Sequence, residues 1–383
     1  MGVVRVDVAP ELLRWAVRRA GWDEETALRR VPKLADWLAG ASRPTLKQLE
    51  KFASDTHAPF GMLFLPDPPV ETIPIPDMRT IRDAGVAGPS ADLLDTIYLC
   101  QRRQDWYRDY ALDAGAEQID FVGSVTITAS PEAVAGRMRD LLRIGDHCAA
   151  TWSEAMTDLI ERTENLGVLV MVNGVVGGNT HRRLNPEEFR GFALSDDVAP
   201  LIFVNGADTR AAQIFTLIHE FAHLWLGRSA LSDVALDARG GKVEERWCNR
   251  VAAETLVPLD SLGEQYRGSA DEDELDRLAR MYKVSTLVVL GRLLDAGCLT
   301  RKEYATRYDV ERERVIGLAR TTRDGGAGGN YYNTQLRRLG RPFARAVITS
   351  TLEGRTTYRD AYRLLGARRH STFEGLTEKV RAA

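Results

Sequence analysis

The amino-acid sequence predicts an α+β protein that is mostly helical and contains one small β-sheet. Apolar residues recur at helical spacing in stretches such as PELLRWAVRRAG and SADLLDTIYLCQRRQDWYRDYAL. After Gly167 this periodicity gives way to the short apolar runs VLVMVNG, FRGFALS and PLIFVNG, which are typical of strands. FRGFALS and PLIFVNG flank the turn DDVA, which predicts a β-hairpin. The chain has 383 residues, more than one ordinary hydrophobic core accommodates, so we expect two or three domains.

The first predicted domain is helical and covers residues 1–68. Its helix patterns begin at capping residues or end at glycines, and the stretch APFGMLFLP closes the unit. The Pro-rich stretch PDPPVETIPIP follows, so we interpret residues 69–85 as a linker.

Three further regions follow this linker. Residues 86–262 contain the predicted strands and the helices on both sides of them. The stretch DELDRLARMYKVSTLVVLGRLLDAG consists of two short helix patterns around KVS, which predicts a helix-turn-helix-like helical domain over residues 263–320. Residues 321–383 begin with the Gly-rich stretch RDGGAGGN and continue as a basic helical C-terminal region.

The composition argues against a membrane protein and against a disulfide-rich secreted one. Hydrophobic residues make up 44% of the chain and charged residues 27%, as in soluble globular proteins. No apolar run reaches the roughly 18 residues of a membrane span. The N-terminal stretch MGVVRVDVAPELLRW lacks a signal-peptide core, so we expect a cytoplasmic protein. The four cysteines show no CxxC spacing and are expected to be small buried apolar residues.

Charge is unevenly distributed along the chain. The net charge is −3, yet residues 301–383 contain 18 Lys and Arg against 9 Asp and Glu. A basic tail of this kind could contact nucleic acid or an acidic partner. A solvated helical surface is the simpler explanation, so nucleic acid is only weakly supported as a partner.

The stretch IFTLIHEFAHLWLG contains the motif HEFAH. Because residues four apart share one face of an α-helix, His219 and His223 can bind one cation through imidazole nitrogens. Glu220 is rotated by about 100° from His219, so it lies beside the metal and can accept a proton from a water molecule. The motif therefore predicts an HExxH zinc peptidase with one Zn²⁺ per chain and Glu220 as the catalytic base. A hydrogen-bonded polar cluster on a buried helix is the alternative.

The third zinc ligand has to come from elsewhere in the chain, because a catalytic zinc ion usually has three protein ligands and one open position. The downstream helix pattern VEERWCNRVAAETLVP offers Glu244, Glu245 and Glu254. Spacing alone does not choose among these glutamates. Asp233 and Asp237, in the loop before this helix, are weaker candidates.

Three stretches together resemble the ImmA/IrrE-type zinc metallopeptidases of bacteria and their phages. They are GFALSDDVAPLIFVN, FTLIHEFAHLWLG and EERWCNRVAAETLVP. The third stands where the family reads E-x-x-A-N-x-F-A-A-x-L-L-M-P, with Cys248 in place of the Ala and Val251 in place of the Phe. Glu245 falls on the family's ligand position, so the resemblance implies that His219, His223 and Glu245 bind the zinc.

The same resemblance implies a fold and a function. Residues 86–262 would form a zincin-like metallopeptidase domain, and residues 1–68 look like a shortened Cro/repressor-like helix-turn-helix domain. Family members cleave repressors that themselves contain helix-turn-helix domains, and they thereby derepress stress or mobile-element genes. The resemblance therefore implies a zinc endopeptidase whose partner is a protein substrate, a helix-turn-helix repressor.

A second hypothesis, from a different class, is a DNA- or partner-binding transcriptional regulator, or a toxin–antitoxin component, with a structural zinc site. The pattern KLADWLAG, which would be the third N-terminal helix, offers few of the Arg, Asn or Gln side chains that read base edges. A docking or scaffold role for residues 1–68 is therefore favoured over DNA binding. No sequence pattern indicates an oligomeric state.

A peptidase also needs a surface for its extended substrate and a donor for the oxyanion. PLIFVNG is the predicted edge strand for β-augmentation, because it enters the HEFAH helix through the short link ADTR. A plain core strand is the alternative. His181, Tyr282 and Arg246 are candidates for the oxyanion donor.

Overall fold

The structure is a computed structural model, and it describes residues 4–78, 89–145, 149–232, 242–322 and 330–382. The chain divides into two compact units. The first consists of Met1–Pro74 and Asp83–Ile97, and the second of Ile75–Arg82 and Tyr98–Ala383. The domain boundaries expected from the sequence are finer than this division and stay predictions.

The first unit is a small group of helices around its own core. Its elements are α1 (Pro10–Arg19), α2 (Glu24–Arg30), α3 (Leu34–Leu38), α4 (Leu46–Asp55) and a 3-10 helix (Phe60–Phe64). Leu12, Leu49 and Phe52 are at most 1% exposed and belong to this core. Helix α4 begins with a capping box, in which the Thr45 hydroxyl accepts the Gln48 N–H and the Gln48 side chain accepts the Thr45 N–H.

The second unit contains the sheet and further helices. Its helices are α5 (Ala91–Asp113, which starts in the first unit), α6 (Pro131–Leu141), α7 (Trp152–Asn165), α8 (Arg210–Trp225), α9 (Val243–Leu256), α10 (Leu259–Gln265), α11 (Glu272–Tyr282), α12 (Thr286–Asp295), α13 (Arg301–Thr322), α14 (Tyr331–Leu339), α15 (Arg341–Leu352), α16 (Tyr358–Leu365) and α17 (His370–Arg381). Its strands are β1 (Leu169–Asn173), β2 (Val175–Val176), β3 (Asn179–Arg183), β4 (Gly191–Leu194), β5 (Leu201–Asn205) and β6 (Ala230–Ser232). The predicted α+β, mostly helical class is confirmed. Within the described ranges, no helix combines the length and the apolar character that a membrane crossing requires.

Four strands form the main sheet in the order β1-β5-β4-β6, while β2 and β3 form a separate two-stranded ribbon. β5 pairs in parallel with β1 and antiparallel with β4, and β4 pairs antiparallel with β6. β4 and β5 are the hairpin expected around the turn DDVA, with Leu194 opposite Leu201. Every residue of β1, β4, β5 and β6 is buried, so the sheet lies inside the second unit.

The prediction that PLIFVNG is an edge strand is wrong. β5 lies between β1 and β4 and uses both of its edges for pairing. Its five consecutive residues are all buried, as is usual for a central strand with both faces covered. β6 pairs with β4 and is the last strand on that side of the sheet. On the outer side of β6, Leu231 forms an isolated parallel bridge with Asp77.

A buried carboxylate joins α7 to the beginning of α15. Glu164 lies in the last turn of α7, and its Oε1 accepts the Arg341 N–H at 3.0 Å. The N-cap of α15 is Gly340, which has no side-chain oxygen, so Glu164 caps this helix from a neighbouring one. Burial raises the pKa of Glu164 to about 7, against the opposing effect of the Arg341 amide.

Glu164→Gln is expected to change the pH dependence of stability. The ordinary pKa is 4.5 and the folded value is about 7, so the folded state holds an extra proton between these values. The stability from this group is therefore fully present below pH 4.5 and is lost as pH rises through 7. A glutamine side chain keeps an oxygen that can accept the Arg341 N–H but has no group that titrates in this pH range. Relative to wild type, the variant should gain about 2 kcal/mol of unfolding free energy between about pH 5 and pH 8 in urea titrations.

Glu154→Gln is the matched control for this experiment. Glu154 lies in the first turn of α7, is exposed and does not contribute to the shifted pKa of Glu164, so its variant should follow the wild-type pH profile. A Glu164→Gln profile that runs parallel to the wild-type profile would contradict the buried titration.

Candidate metal centre

Helix α8 places the HEFAH motif in the interior of the second unit. The Thr209 hydroxyl accepts the Ala212 N–H at the N-terminus of the helix. From there, all residues from 213 to 225 are buried, and His219, Glu220 and His223 are each 0% exposed. Polar groups buried this deeply need partners, because an unpaired one costs several kcal/mol.

Strand β4 runs very close to α8 at Gly191. A Cβ atom on Gly191 would lie 2.5 Å from Cγ2 of Thr216, 2.8 Å from the carbonyl oxygen of Phe203 and 3.1 Å from Oε1 of Glu220. Only glycine fits without displacement, since two of these distances are shorter than real Cβ contacts. The glycine therefore allows the sheet to pack directly against the turn that contains Glu220.

Helix α9 brings a carboxylate to the two histidines. Cys248 and Ala252 lie one and two turns after Glu245 on the same face of α9, and both are fully buried in the core that also contains Phe221 of α8. Small side chains at these positions let two helices pack closely. Val251 is also fully buried, so both departures from the family pattern lie in the core.

The ligand-type atoms of three buried side chains converge between α8 and α9. Nε2 of His219 and Nε2 of His223 are 3.2 Å apart. Oε2 of Glu245 lies 3.2 Å from His219 Nε2, and its Oε1 lies 3.1 Å from His223 Nε2. Among the described residues, these three form the cluster that could hold a metal ion. Atoms bonded to a tetrahedral zinc ion at about 2.0–2.1 Å are about 3.3 Å apart, so the spacing fits.

Burial and mutual contact determine how these groups ionise without a metal. Burial lowers the pKa of His223, which favours the neutral imidazole that binds metals. Burial by itself would raise the pKa of Glu245, but His219 and His223 outweigh it and lower that pKa to about 2. The cluster therefore offers a carboxylate beside imidazole nitrogens, a donor set that suits zinc.

Glu220 lies in the same buried region but outside the three-residue cluster. Burial, and then the charge of Glu245, raise the pKa of Glu220 well above its ordinary value. The Ser232 hydroxyl is close enough to oppose this rise in pKa, but it forms no hydrogen bond of normal geometry with either carboxylate oxygen of Glu220. The Nδ1 atoms of His219 and His223 also have no hydrogen-bond partner among the described residues. Orphaned buried groups of this kind fit a site that binds a cation and a polar molecule.

Ser232 is a polar neighbour that the sequence analysis missed. It ends β6 and is fully buried, and its Oγ lies 3.4 Å from His223 Nε2 and 3.5 Å from Glu245 Oε1. No spacing rule relates a serine on a strand to a histidine nine residues earlier on a helix. Only the pairing of β6 with β4 brings it to the cluster.

Of the other candidate ligands, the structure describes Glu244 and Glu254, and neither belongs to this cluster. Glu254 lies near the end of α9 and forms an ion pair with Arg292. Glu244 is half-buried on α9 and outside the cluster. Asp233 and Asp237 lie outside the described residues.

The structure places the three oxyanion candidates on three different elements, β3, α9 and α11. His181 is exposed on β3, and Arg246 is exposed on α9. The Tyr282 hydroxyl lies 2.8 Å from Ser261 Oγ. The assignment of an oxyanion donor stays a prediction.

Two parts of the chain match known protein families. Residues 163–294 match the model of the IrrE N-terminal-like domain, a peptidase family. This match includes the HEFAH helix and α9, and it confirms the resemblance to ImmA/IrrE-type peptidases for this segment. It begins at residue 163, so the N-terminal helix-turn-helix stays a prediction. Residues 339–379 match a domain of unknown function (DUF8813). No curated protein matches the chain.

Gly191→Ala is expected to destabilise the protein. The added methyl group would press on Thr216 and on the Phe203 carbonyl, and overpacking of this kind costs about 1–3 kcal/mol. The matched control is Gly136→Ala on α6, where a Cβ atom meets nothing within 4 Å. That control should gain about 0.5–1 kcal/mol from helix propensity. Urea unfolding measures both variants, and equal stabilities would count against the close approach.

Glu245→Gln is expected to weaken zinc binding. It removes the negative charge shared by His219 and His223, and loss of a direct ligand should cost at least about 100-fold in affinity, since losing an outer partner already costs 10–100-fold. Competition with a chromophoric chelator measures the affinity. Glu244→Gln and Glu254→Gln are matched controls on the same helix and should bind as wild type does. Zinc loss in a control, with retention in Glu245→Gln, would overturn the choice of ligand.

Proposed function

We propose, from the IrrE N-terminal-like domain at residues 163–294, that the chain is a zinc-dependent endopeptidase that cleaves a protein substrate. The proposal rests on one observation, the convergence of His219, His223 and Glu245 at 3.1–3.2 Å. Two imidazoles and one carboxylate are the protein ligands of many catalytic zinc sites, which keep a fourth position open.

His219, His223 and Glu245 would hold the zinc ion. When bound, zinc polarises the scissile carbonyl and lowers the pKa of a water molecule. Ser232 is the further polar side chain in contact with the cluster. It is not one of the Cys, His or carboxylate ligands that complete closed structural zinc sites. The donor set therefore supports catalysis over a purely structural metal.

Glu220 would act as the general base. It directly follows His219 in the chain, and neither of its carboxylate oxygens forms a hydrogen bond of normal geometry with a described residue. One of these oxygens would accept a proton from the attacking water, and the same carboxyl group would then donate it to the leaving amine nitrogen. The apolar surroundings of α8 would exclude bulk water during this transfer.

The proposed substrate is a helix-turn-helix repressor in the cytoplasm, and its cleavage would derepress stress or mobile-element genes. This part of the proposal follows from the family resemblance. The cleaved segment has to be extended, because a helical segment uses its own N–H and C=O groups and cannot pair with a strand.

One observation favours the alternative of a regulator with a structural zinc site. A substrate carbonyl has to reach the metal, yet His219, Glu220 and His223 are each 0% exposed. A peptidase with this site therefore has to change conformation before a substrate can enter.

Glu220→Gln should retain zinc and lose cleavage. General acid–base catalysis typically contributes 10²–10⁴-fold, so we expect cleavage to fall by at least about 100-fold. The test incubates zinc-loaded protein with a helix-turn-helix repressor encoded beside this gene and follows the products by intact-mass spectrometry. Glu244→Gln is the control and should cleave at the wild-type rate. Undiminished cleavage by Glu220→Gln would refute its role as the base.

A further inference from the structure

Strand β6 forms the edge of the main sheet that is closest to the metal cluster. Its inner edge pairs with β4, where Ser232 lies opposite Gly191 and Ala230 opposite Ala193. Because backbone groups alternate along a strand, the N–H and C=O of the intervening Leu231 face outwards. Ser232, the next residue, contacts the cluster. The outer edge of the sheet therefore lies one residue away from the candidate catalytic centre.

The chain itself occupies this outer edge through residues 75–78, which we call the edge segment. The Leu231 N–H donates to the Pro76 carbonyl oxygen at 3.0 Å, and the Met78 N–H donates to the Leu231 carbonyl oxygen at 2.9 Å. These two bonds form the parallel bridge between Asp77 and Leu231. Both outward-facing backbone groups of Leu231 are therefore already paired.

Side chains and a lysine hold the edge segment in place. Ile75 and Met78 are only 7% and 8% exposed. The Lys242 ammonium group donates to the Asp77 carbonyl oxygen at 2.7 Å. Lys242 is the N-cap of α9, three residues before Glu245. The edge segment therefore contacts both β6 and the start of α9, the two elements that bring Ser232 and Glu245 to the cluster.

The edge segment forms fewer backbone hydrogen bonds to β6 than a strand without proline could form. Pro76 has no N–H, so at this position it can only accept a hydrogen bond from β6. A strand without proline there could offer a further donor to β6. An extended peptide is therefore able to replace the edge segment without losing any backbone hydrogen bond.

We propose that the outer edge of β6 is the surface on which an extended substrate pairs, and that the edge segment occupies it in the resting protein. This inference rests on the proposed peptidase function and specifies how that site is regulated. A substrate strand gains access to Leu231 only when the edge segment leaves. Extended polypeptides bind sheet edges through main-chain hydrogen bonds in the same way.

A peptide-binding experiment tests the proposal on the full-length, zinc-loaded chain. The probe is a fluorescein-labelled peptide TIPIPDM, which copies residues 72–78, and its binding is measured by fluorescence anisotropy. The release variant, Ile75→Asp/Met78→Asp, places two charges at buried positions and should free the edge. A tethered occupant acts at about millimolar effective concentration, so the release variant should bind the peptide at least about tenfold more tightly than wild type.

Val70→Asp is the matched control, because Val70 belongs to the same linker and is 89% exposed. It should bind the peptide as weakly as wild type. A release variant that unfolds at the wild-type temperature but binds no more tightly than Val70→Asp overturns the proposal.

Amide hydrogen exchange gives a second test that does not depend on added peptide. In the release variant, the Leu231 amide should exchange at least about tenfold faster than in wild type, because it loses its acceptor on Pro76. The exchange rates of amides within β5, which pairs with β1 and β4, should be the same as in wild type. Unchanged rates there would show that the sheet is intact. Unchanged Leu231 exchange in an intact sheet would also overturn the proposal.

Hydrolysis of fluorescein-labelled casein by the same proteins separates this proposal from the peptidase proposal. We expect the release variant to hydrolyse casein faster than wild type and Val70→Asp. Tight peptide binding without any hydrolysis supports the pairing edge and counts against the peptidase function. Equal hydrolysis by all three proteins, with no gain in peptide binding, counts against the edge segment and leaves the peptidase function supported.

Discussion

A buried group of ionisable side chains constrains the second unit more than any other feature. His219, His223, Glu220 and Glu245 lie where bulk water does not reach, and the carboxylate of Glu245 is held between two imidazole nitrogens. Burying such groups is costly unless opposite charge is close by. The elements that carry them, α8 and α9, therefore have to meet within a narrow range of positions.

Apolar packing provides this precision. The flanks of HEFAH anchor α8 in the core, small residues on α9 let the helices pack closely, and Gly191 lets β4 pack against the turn of Glu220. Packed interiors resist displacement, so the polar atoms keep their mutual distances. The stability of the second unit and the geometry of the cluster therefore depend on the same contacts.

The outer edge of β6 lies next to this cluster and is covered by another segment of the chain. Sheet edges have unpaired backbone groups, and proteins usually protect them from unwanted pairing. Here the protection comes from residues 75–78, which directly follow Pro74 in the chain. An edge that is protected by a removable segment is also a surface that a substrate strand can use. The contact between residues 75–78 and β6 therefore both protects the sheet edge from aggregation and controls the access of a substrate to that edge.

The sequence by itself determined that His219 and His223 share a helix face with Glu220 beside them, because helical periodicity is decided within a few residues. It also predicted the α+β class and the hairpin of β4 and β5. The spacing did not distinguish among Glu244, Glu245 and Glu254 as the third metal ligand, and only the family resemblance favoured Glu245. Tertiary packing of α9 against α8 decided which of these glutamates lies against the histidines. Packing also made β5 central and brought Ser232 to the cluster, since strand order depends on contacts between residues far apart in the chain.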